Sequence, residues 1–193
     1  MTEKVGPERI LEVAGKLFAE NGYSNVSIRD VCRGAGITPP MIYYYFGNKK
    51  GLFNAAVRSK LSMHEFIDLL RTRTNLREAR DGISAFTETY LTEFPENAFD
   101  VGLYIRDTAK LDRESAETVS RQLDEVHQIA VSVIERGIDS GRFRRTDSAK
   151  SADCLIGMLN RVIFQRIHFS RSRDVQASRA FILDFFLRAM KRA

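Results

Sequence analysis

The chain of 193 residues has no tryptophan, two cysteines, three histidines and four prolines, and each scarcity closes off a class of protein. Cys32 and Cys154 lie far apart with no C-x-x-C spacing, which argues against a disulfide-stapled scaffold or a thiolate metal centre. The reading left for them is two reduced, buried thiols on helices of a cytosolic protein. His64, His127 and His168 are equally scattered. No H-E-x-x-H, glycine-rich phosphate loop or nucleophile elbow occurs, so the enzymes that local motifs reveal are set aside, and neither catalysis nor a metal nor a cofactor is expected. No apolar run approaches the roughly 20 residues that cross a bilayer, and residues 1–9 carry charge without the apolar stretch of a leader. A soluble, cytoplasmic chain is expected. There is no internal repeat and no stretch that reads as a strand, so the expected fold is all-α.

What the chain does have is positive charge in one place. Residues 21–60 hold Arg29, Arg33, Lys49, Lys50, Arg58 and Lys60 against Asp30 alone, so this segment carries the whole formal charge of +5. Such a local field suits a surface that meets a polyanion.

The same segment contains the densest local signals. Ser27 is placed to cap a helix, with Asp30 where a capping box carries its acid. Ile28, Val31, Cys32 and Ala35 follow the i, i+3, i+4, i+7 spacing of one buried face, leaving Arg29 and Arg33 outward. Gly34 and Gly36 supply residues able to turn with positive φ, and Ile37 returns an apolar side chain to the core. Thr38 then caps a second helix through its hydroxyl and the Met41 N–H. Pro39 and Pro40 open that helix and remove two of its first-turn donors, so its backbone start cannot grip phosphate and side chains must make the contacts. Ile42 and Phe46 face inward, which turns Tyr44 and Tyr45 to other sides. Asn48 caps a third helix that opens with Lys49 and Lys50.

Gly36-Ile37-Thr38, Tyr43-Tyr44-Tyr45-Phe46, Asn48-Lys49 and Leu52, in that order and spacing, resemble the helix-turn-helix signature of the TetR family of bacterial transcriptional regulators. With the amphipathic helix before them, whose apolar stripe is Ile10, Ala14, Leu17 and Phe18 and whose end is Gly22, the likeness covers about residues 6–66. It implies a DNA-binding domain of three helices over 6–66 and a larger helical effector-binding and dimerisation domain over 67–193. A helix from about Asn48 to near Arg71 is expected to link the two as a rod about 30 Å long.

Base readers and backbone anchors are both present in the motif. Pro39, Pro40 and Met41 offer only apolar side-chain contacts, which suit thymine methyls in the major groove, and Thr38 stands beside them. Tyr44 is placed to reach a base or a phosphate. Arg29 can hold a guanine bidentately or a phosphate. The resemblance implies phosphate contacts for Ser27, Tyr43, Tyr45 and Lys49, with Tyr45 standing where the family commonly has histidine.

Beyond the motif, helices are expected from Leu76 to before Pro95, from about Asn97, from Asp112 to Gly141, from Asp147 to Phe169 and from Val175 to Lys191, with a polar loop over Thr72–Asn75. The resemblance places a small-molecule effector, apolar or aromatic, among them. Phe86, Tyr90, Tyr104, His127, Asn160, Phe164 and His168 are wall candidates, with plain core packing as the alternative for each. The last helix is apolar around much of its circumference, which suits either a central buried helix or a homodimer; the resemblance implies a four-helix interface from the last two helices, with Leu159, Ile163, Phe181, Phe185 and Leu187 as candidates. The expected function is a repressor released by its effector from a palindromic double-stranded DNA operator. Alternatives are an activator or DNA-organising member of the same family, or a helical ligand-binding protein or enzyme whose basic patch is incidental.

Overall fold

The computed structural model describes residues 6–60, 63–76, 79–94, 108–168 and 174–192. Within them the chain forms α1 (Pro7–Asn21), α2 (Ile28–Ala35), α3 (Pro39–Phe46), α4 (Lys49–Lys60), α5 (His64–Thr74), α6 (Ala79–Glu93), α7 (Arg113–Asp139), α8 (Ser148–His168) and α9 (Val175–Met190). A 3₁₀ turn over Thr108–Lys110 precedes α7. Among the described residues the sole β contact is an isolated bridge between Phe143 and Lys191. The expected all-α class holds. The helix anticipated from about Asn97 lies outside the described residues.

Two compact units result, one from residues 1–62 and 100–120 and the other from 63–99 and 121–193. In the first, α1 packs on α2 and α4, and α3 packs on α2 and α4. Ile10, Ala14, Phe18, Val31, Ile42, Leu52, Phe53 and Ala56 fill the space between them. The Phe18 and Phe53 rings meet edge to face at 5.2 Å. Each fully buried isoleucine, leucine, valine or phenylalanine of this set contributes about 1.5–3 kcal/mol. Gly22 at φ 82° and Gly36 at φ 67° end α1 and α2 in conformations that a Cβ disfavours. Gly34 serves a different purpose from the turn expected of it. It sits inside α2, where an added Cβ would come within 2.7 Å of Val13 Cγ1, so its small size lets α2 close on α1.

In the second unit, α5 and α6 pair, and α6 also packs on α8 and α9. Phe66, Ile67, Leu70, Ile83, Phe86, Tyr90, Val133, Leu159, Ile163 and Phe186 form the core. Arg136 on α7 donates to the Thr74 carbonyl at 2.7 Å, satisfying an orphan acceptor at the end of α5. The Arg144 N–H donates to the Met190 carbonyl at 2.9 Å and fastens the end of α9 to the α7–α8 turn.

The continuous helix expected from Asn48 to Arg71 is two helices. Met63, at φ −101° and ψ 15°, is the N-cap of α5. The reason lies in what each half buries: Leu52, Phe53, Ala56 and Val57 belong to the first core, whereas Met63, Phe66, Ile67 and Leu70 belong to the second. Two stripes that serve separate cores need not keep one helical phase. The helix divided between the units is α7, grouped with the first as far as Ser120 and with the second from Arg121. α5 also runs to Thr74, through most of the polar stretch expected to be loop.

Candidate nucleic-acid interface

The interface is built on the α2–α3 corner. Ser27 and Asp30 form a reciprocal capping box: the Asp30 N–H donates to Ser27 Oγ at 3.2 Å, and the Ser27 N–H donates to Asp30 Oδ2 at 2.9 Å. The Ser27 hydroxyl also donates to Asp30 Oδ2 at 2.5 Å. These bonds, the hydroxyl's first, hold the Asp30 carboxyl below its ordinary value, with the nearby positive Arg33 adding a smaller effect. Both donors of Ser27 are thus engaged by a carboxylate, so its local part is to start α2. Arg33 lies 3.6 Å from Asp30, whereas Arg29 is exposed and has no ion-pair partner among the described residues.

At the head of α3, Thr38 occupies the N-cap position without a side-chain capping bond. The Met41 N–H donates instead to the Thr38 backbone carbonyl at 3.0 Å, which corrects the expected hydroxyl cap. Pro39 and Pro40 leave so few donors at this end that a hydroxyl cap has little to satisfy. Ile42 is fully buried and anchors the helix, while Thr38, Pro39 and Pro40 are exposed. Tyr43, Tyr44 and Tyr45 are 53%, 83% and 43% exposed. At 100° per residue the three tyrosines fan across more than half the circumference of α3. The Tyr44 and Tyr45 rings meet edge to face at 5.0 Å. A cluster of large rings left in solvent, each tipped by a hydroxyl, is what an interface with a polar partner presents.

Asn48 caps α4 as expected, its Oδ1 accepting from the Gly51 N–H at 2.9 Å. Lys49 follows, half-buried, with its ammonium 4.4 Å above the ring of Tyr23. Tyr23 itself packs edge-on to Phe53 at 4.9 Å, so the cation is held against the core of the unit. The sequence reading missed Tyr23; the signal was an aromatic residue directly after the helix-ending Gly22. Cys32 is buried on the inner face of α2, and burial pushes its thiol up, away from the reactive form. Cys154 is exposed on α8, where a buried thiol was expected.

The effector candidates divide. Phe86 and Tyr90 are buried together, rings 5.6 Å apart, and Phe66 and Phe94 lie 5.7 Å and 5.0 Å from Tyr90. The Tyr90 hydroxyl donates to Asn160 Oδ1 at 2.7 Å, and burial pushes that hydroxyl's pKa up, so it stays neutral. Phe164 is half-buried with the Arg161 guanidinium 5.9 Å from its ring. His127 faces a different seam, 3.1 Å from Asp153 Oδ1 and 3.2 Å from the Ala149 carbonyl. Tyr104 and the side chain of His168 lie outside the described residues. Of the dimer candidates, Phe181 and Phe185 are 69% and 55% exposed with their rings stacked at 6.2 Å, and Leu187 is half-buried. Phe181 and Phe185 border an open groove of about 900 Å³ that Cys154, Gly157, Met158 and Arg161 line from α8. Leu159 and Ile163 are corrected: both are fully buried in their own unit with nothing left for a partner to cover.

Among the described residues no group of three or more His, Cys, Asp or Glu side chains could hold a metal, and no helix is long and apolar enough to cross a membrane. A glycine-cornered helix pair carried on two supporting helices, with its second helix exposed, defines a helix-turn-helix protein. Residues 10–56 match the model of bacterial regulatory proteins of the tetR family, and residues 77–164 match that of the tetracyclin repressor-like C-terminal domain. Together these cover more than half of the chain, which belongs to the TetR family. It is 31% identical over 75 residues to the HTH-type transcriptional regulator UidR of Escherichia coli K12, covering 39% of this chain and 34% of that protein. The match therefore spans about a third of that relative's length. It is 23% identical over 138 residues to the HTH-type transcriptional repressor KstR2 of Rhodococcus jostii RHA1, covering 70% of this chain and 66% of that one. The solved structure of a transcriptional regulator from Saccharomonospora viridis in complex with choline superimposes with a TM-score of 0.74 at 24% identity, covering 97% of this chain and 98% of that one.

Proposed function

We propose that the protein is a sequence-specific DNA-binding regulator, a repressor that leaves a partly palindromic operator when a small molecule binds. The observation that carries this reading is the exposed head of α3, donorless at Pro39 and Pro40 and fanned with Tyr43, Tyr44 and Tyr45, lying in sequence between Arg29 and Lys49. Residues 6–66 read DNA and residues 67–193 hold effector and partner. Pro39, Pro40, Met41 and Tyr44 meet base edges in the major groove, Arg29 reads a guanine, and Thr38, Tyr43, Tyr45 and Lys49 hold backbone. Ser27 contributes through its cap.

The groove beside Phe181 and Phe185 seats the same face of a second copy, giving a two-fold dimer through α8 and α9. Its two heads then fit successive major grooves about 34–36 Å apart, and an effector that favours another spacing lowers affinity without touching DNA. An apolar or aromatic effector is placed near Tyr90 and Asn160, where one polar pair sits in an aromatic cluster. That a solved protein of the same fold carries choline supports a small ligand here. Such a regulator works in the cytoplasm.

The test is a titration against the DNA flanking the protein's own gene, at two salt concentrations and beside a scrambled duplex of equal length. Salt-sensitive binding of two protomers, or a multiple of two, to the native duplex supports the reading. Equal weak binding to both duplexes, with no fragment recovered by genomic selection, overturns it.

A further inference from the structure

Asn54 is a polar residue on the inner face of α4, 3% exposed amid Phe53, Ala56 and Val57. Its amide is spent on one residue that is 58 positions away. Asn54 Nδ2 donates to Asp112 Oδ2, and the Asp112 N–H donates back to Asn54 Oδ1 at 3.2 Å. Asp112 uses its other oxygen to cap α7, accepting the Ser115 N–H at 2.8 Å. One turn along α4, Arg58 donates to the fully buried Ser115 hydroxyl at 2.8 Å and stands 4.0 Å from Asp112 Oδ2. Every one of these groups lies in the first unit, so the start of α7 is built into the same body as the α2–α3 corner.

Asn54 and Ser115 are buried while Asp112 and Arg58 are partly exposed, so a slip leaves the buried amide and hydroxyl without the partners that satisfy them, and that favours one geometry. Apolar contacts between helices tolerate sliding far better. α4 touches both α1 and α3, and it carries Lys49 at its first position. The N-terminal end of α4 is set by the Asn48 cap and the Lys49–Tyr23 contact, and its second half is set by Asp112 and Ser115.

We propose that Asn54 and Asp112, backed by Arg58 and Ser115, are positioning residues for DNA reading: they make the pose of α4, and so of the reading head, depend on the seating of the first turn of α7. This rests on the DNA-binding reading above. It moves the point of control from a rod running out of α4 to the start of α7, the helix whose remainder belongs to the second unit.

The test is a reciprocal swap. Asn54→Asp alone sets two carboxylates against each other. Asp112→Asn alone sets two amide NH₂ groups against each other, or else turns one toward the Ser115 N–H. The double variant keeps the hydrogen bonds of positions 54, 112 and 115 and gives up only the 4.0 Å pairing of Arg58 with Asp112: the carboxylate at position 54 accepts from the side-chain amide and backbone N–H at position 112, whose carbonyl oxygen still accepts from Ser115. The full chain is used, with a duplex that the wild type selects from random DNA, and circular dichroism and melting confirm folding. Each single variant is expected to bind about tenfold or more weakly, and the double variant is expected to return close to wild type. Asp112→Asn removes a negative charge, which by itself tightens DNA binding, so a loss there is positional. Wild-type affinity in both single variants, or a double variant no better than the worse single one, overturns the proposal. If the wild type selects no duplex, the DNA reading fails, and amide exchange judges the clamp. Faster exchange across both α4 and the first turn of α7 in Asp112→Asn, restored by the swap, upholds the coupling; unchanged exchange overturns it.

Discussion

The Lys49 ammonium rests 4.4 Å above the Tyr23 ring, so among the described residues the cation that opens α4 is held by an aromatic face and not by a carboxylate. A carboxylate would cancel the charge and compete with phosphate. A ring positions the charge and leaves it whole, and the contact is worth about 0.5–1 kcal/mol at an exposed site. Lys49→Ala is expected to weaken binding to every duplex alike and to flatten the plot of log affinity against log salt by about one unit. Tyr23→Leu, which releases the lysine and keeps its charge, should lower affinity less and leave that slope unchanged. Anisotropy titrations at several salt concentrations separate the two.

Arg29 is the exposed guanidinium on α2 without an ion-pair partner among the described residues. Arg29→Ala is expected to relax preference at one base pair, at a cost of about 1–3 kcal/mol on the native duplex and little on duplexes already changed there. Binding to a panel of single-base variants measures this. An equal loss across the panel would reassign Arg29 to the backbone.

The Ser27–Asp30 box carries a pH dependence of known sign. The folded-state carboxyl of Asp30 lies below the ordinary 3.8, so its contribution to stability is fully present above that value and is lost as pH falls through the folded value. Ser27→Ala should cost about 1 kcal/mol at neutral pH, as other lost N-caps do. The gap between wild type and variant should narrow in acid, below pH 3.8. Urea titrations at neutral and acid pH give the gap, and the Asp30 carboxyl resonance in Ser27→Ala should titrate at higher pH than in wild type.

α8 and α9 present two faces with opposite expected responses. Phe185→Lys changes a side chain that is 55% exposed, and should leave helix content intact while raising the dimer dissociation constant by orders of magnitude, read by sedimentation. Leu159→Ala empties a fully buried position and should cost about 2–5 kcal/mol of stability by leaving a cavity. If Phe185→Lys stayed dimeric at low micromolar concentration, the α8–α9 interface would be wrong.

The reading corner was legible because its signals are local. Ser27 and Asp30, Gly36, and Asn48 with Gly51 each act within three or four residues, and their chemistry states what the backbone does. Leu159 and Ile163 were misassigned for a reason of geometry. Periodicity shows which residues of α8 share a face, yet it cannot say which of two apolar faces meets the chain's own core. The face with Ala152, Leu155, Leu159 and Ile163 does so, and the face with Gly157 and Met158 opens to the groove. The clamp was invisible because its halves are 58 residues apart, and a lone asparagine on α4 carries no mark of its partner. The break at Met63 was hidden because both cores draw on apolar stripes that read as one.

The paired prolines at the head of α3 have a bearing on modified DNA. If Pro39 and Pro40 meet base edges as proposed, a tip that offers carbon in place of N–H groups is expected to respond to the 5-methyl group of a pyrimidine, whether the ring is thymine or methylated cytosine. An operator in which deoxyuridine replaces thymine at the contacted steps loses that foothold, and cytosine methylation at neighbouring steps supplies a false one. On the proposed contacts, occupancy of the site is expected to differ between methylated and unmethylated duplexes of one sequence, although the mark alters no base pairing.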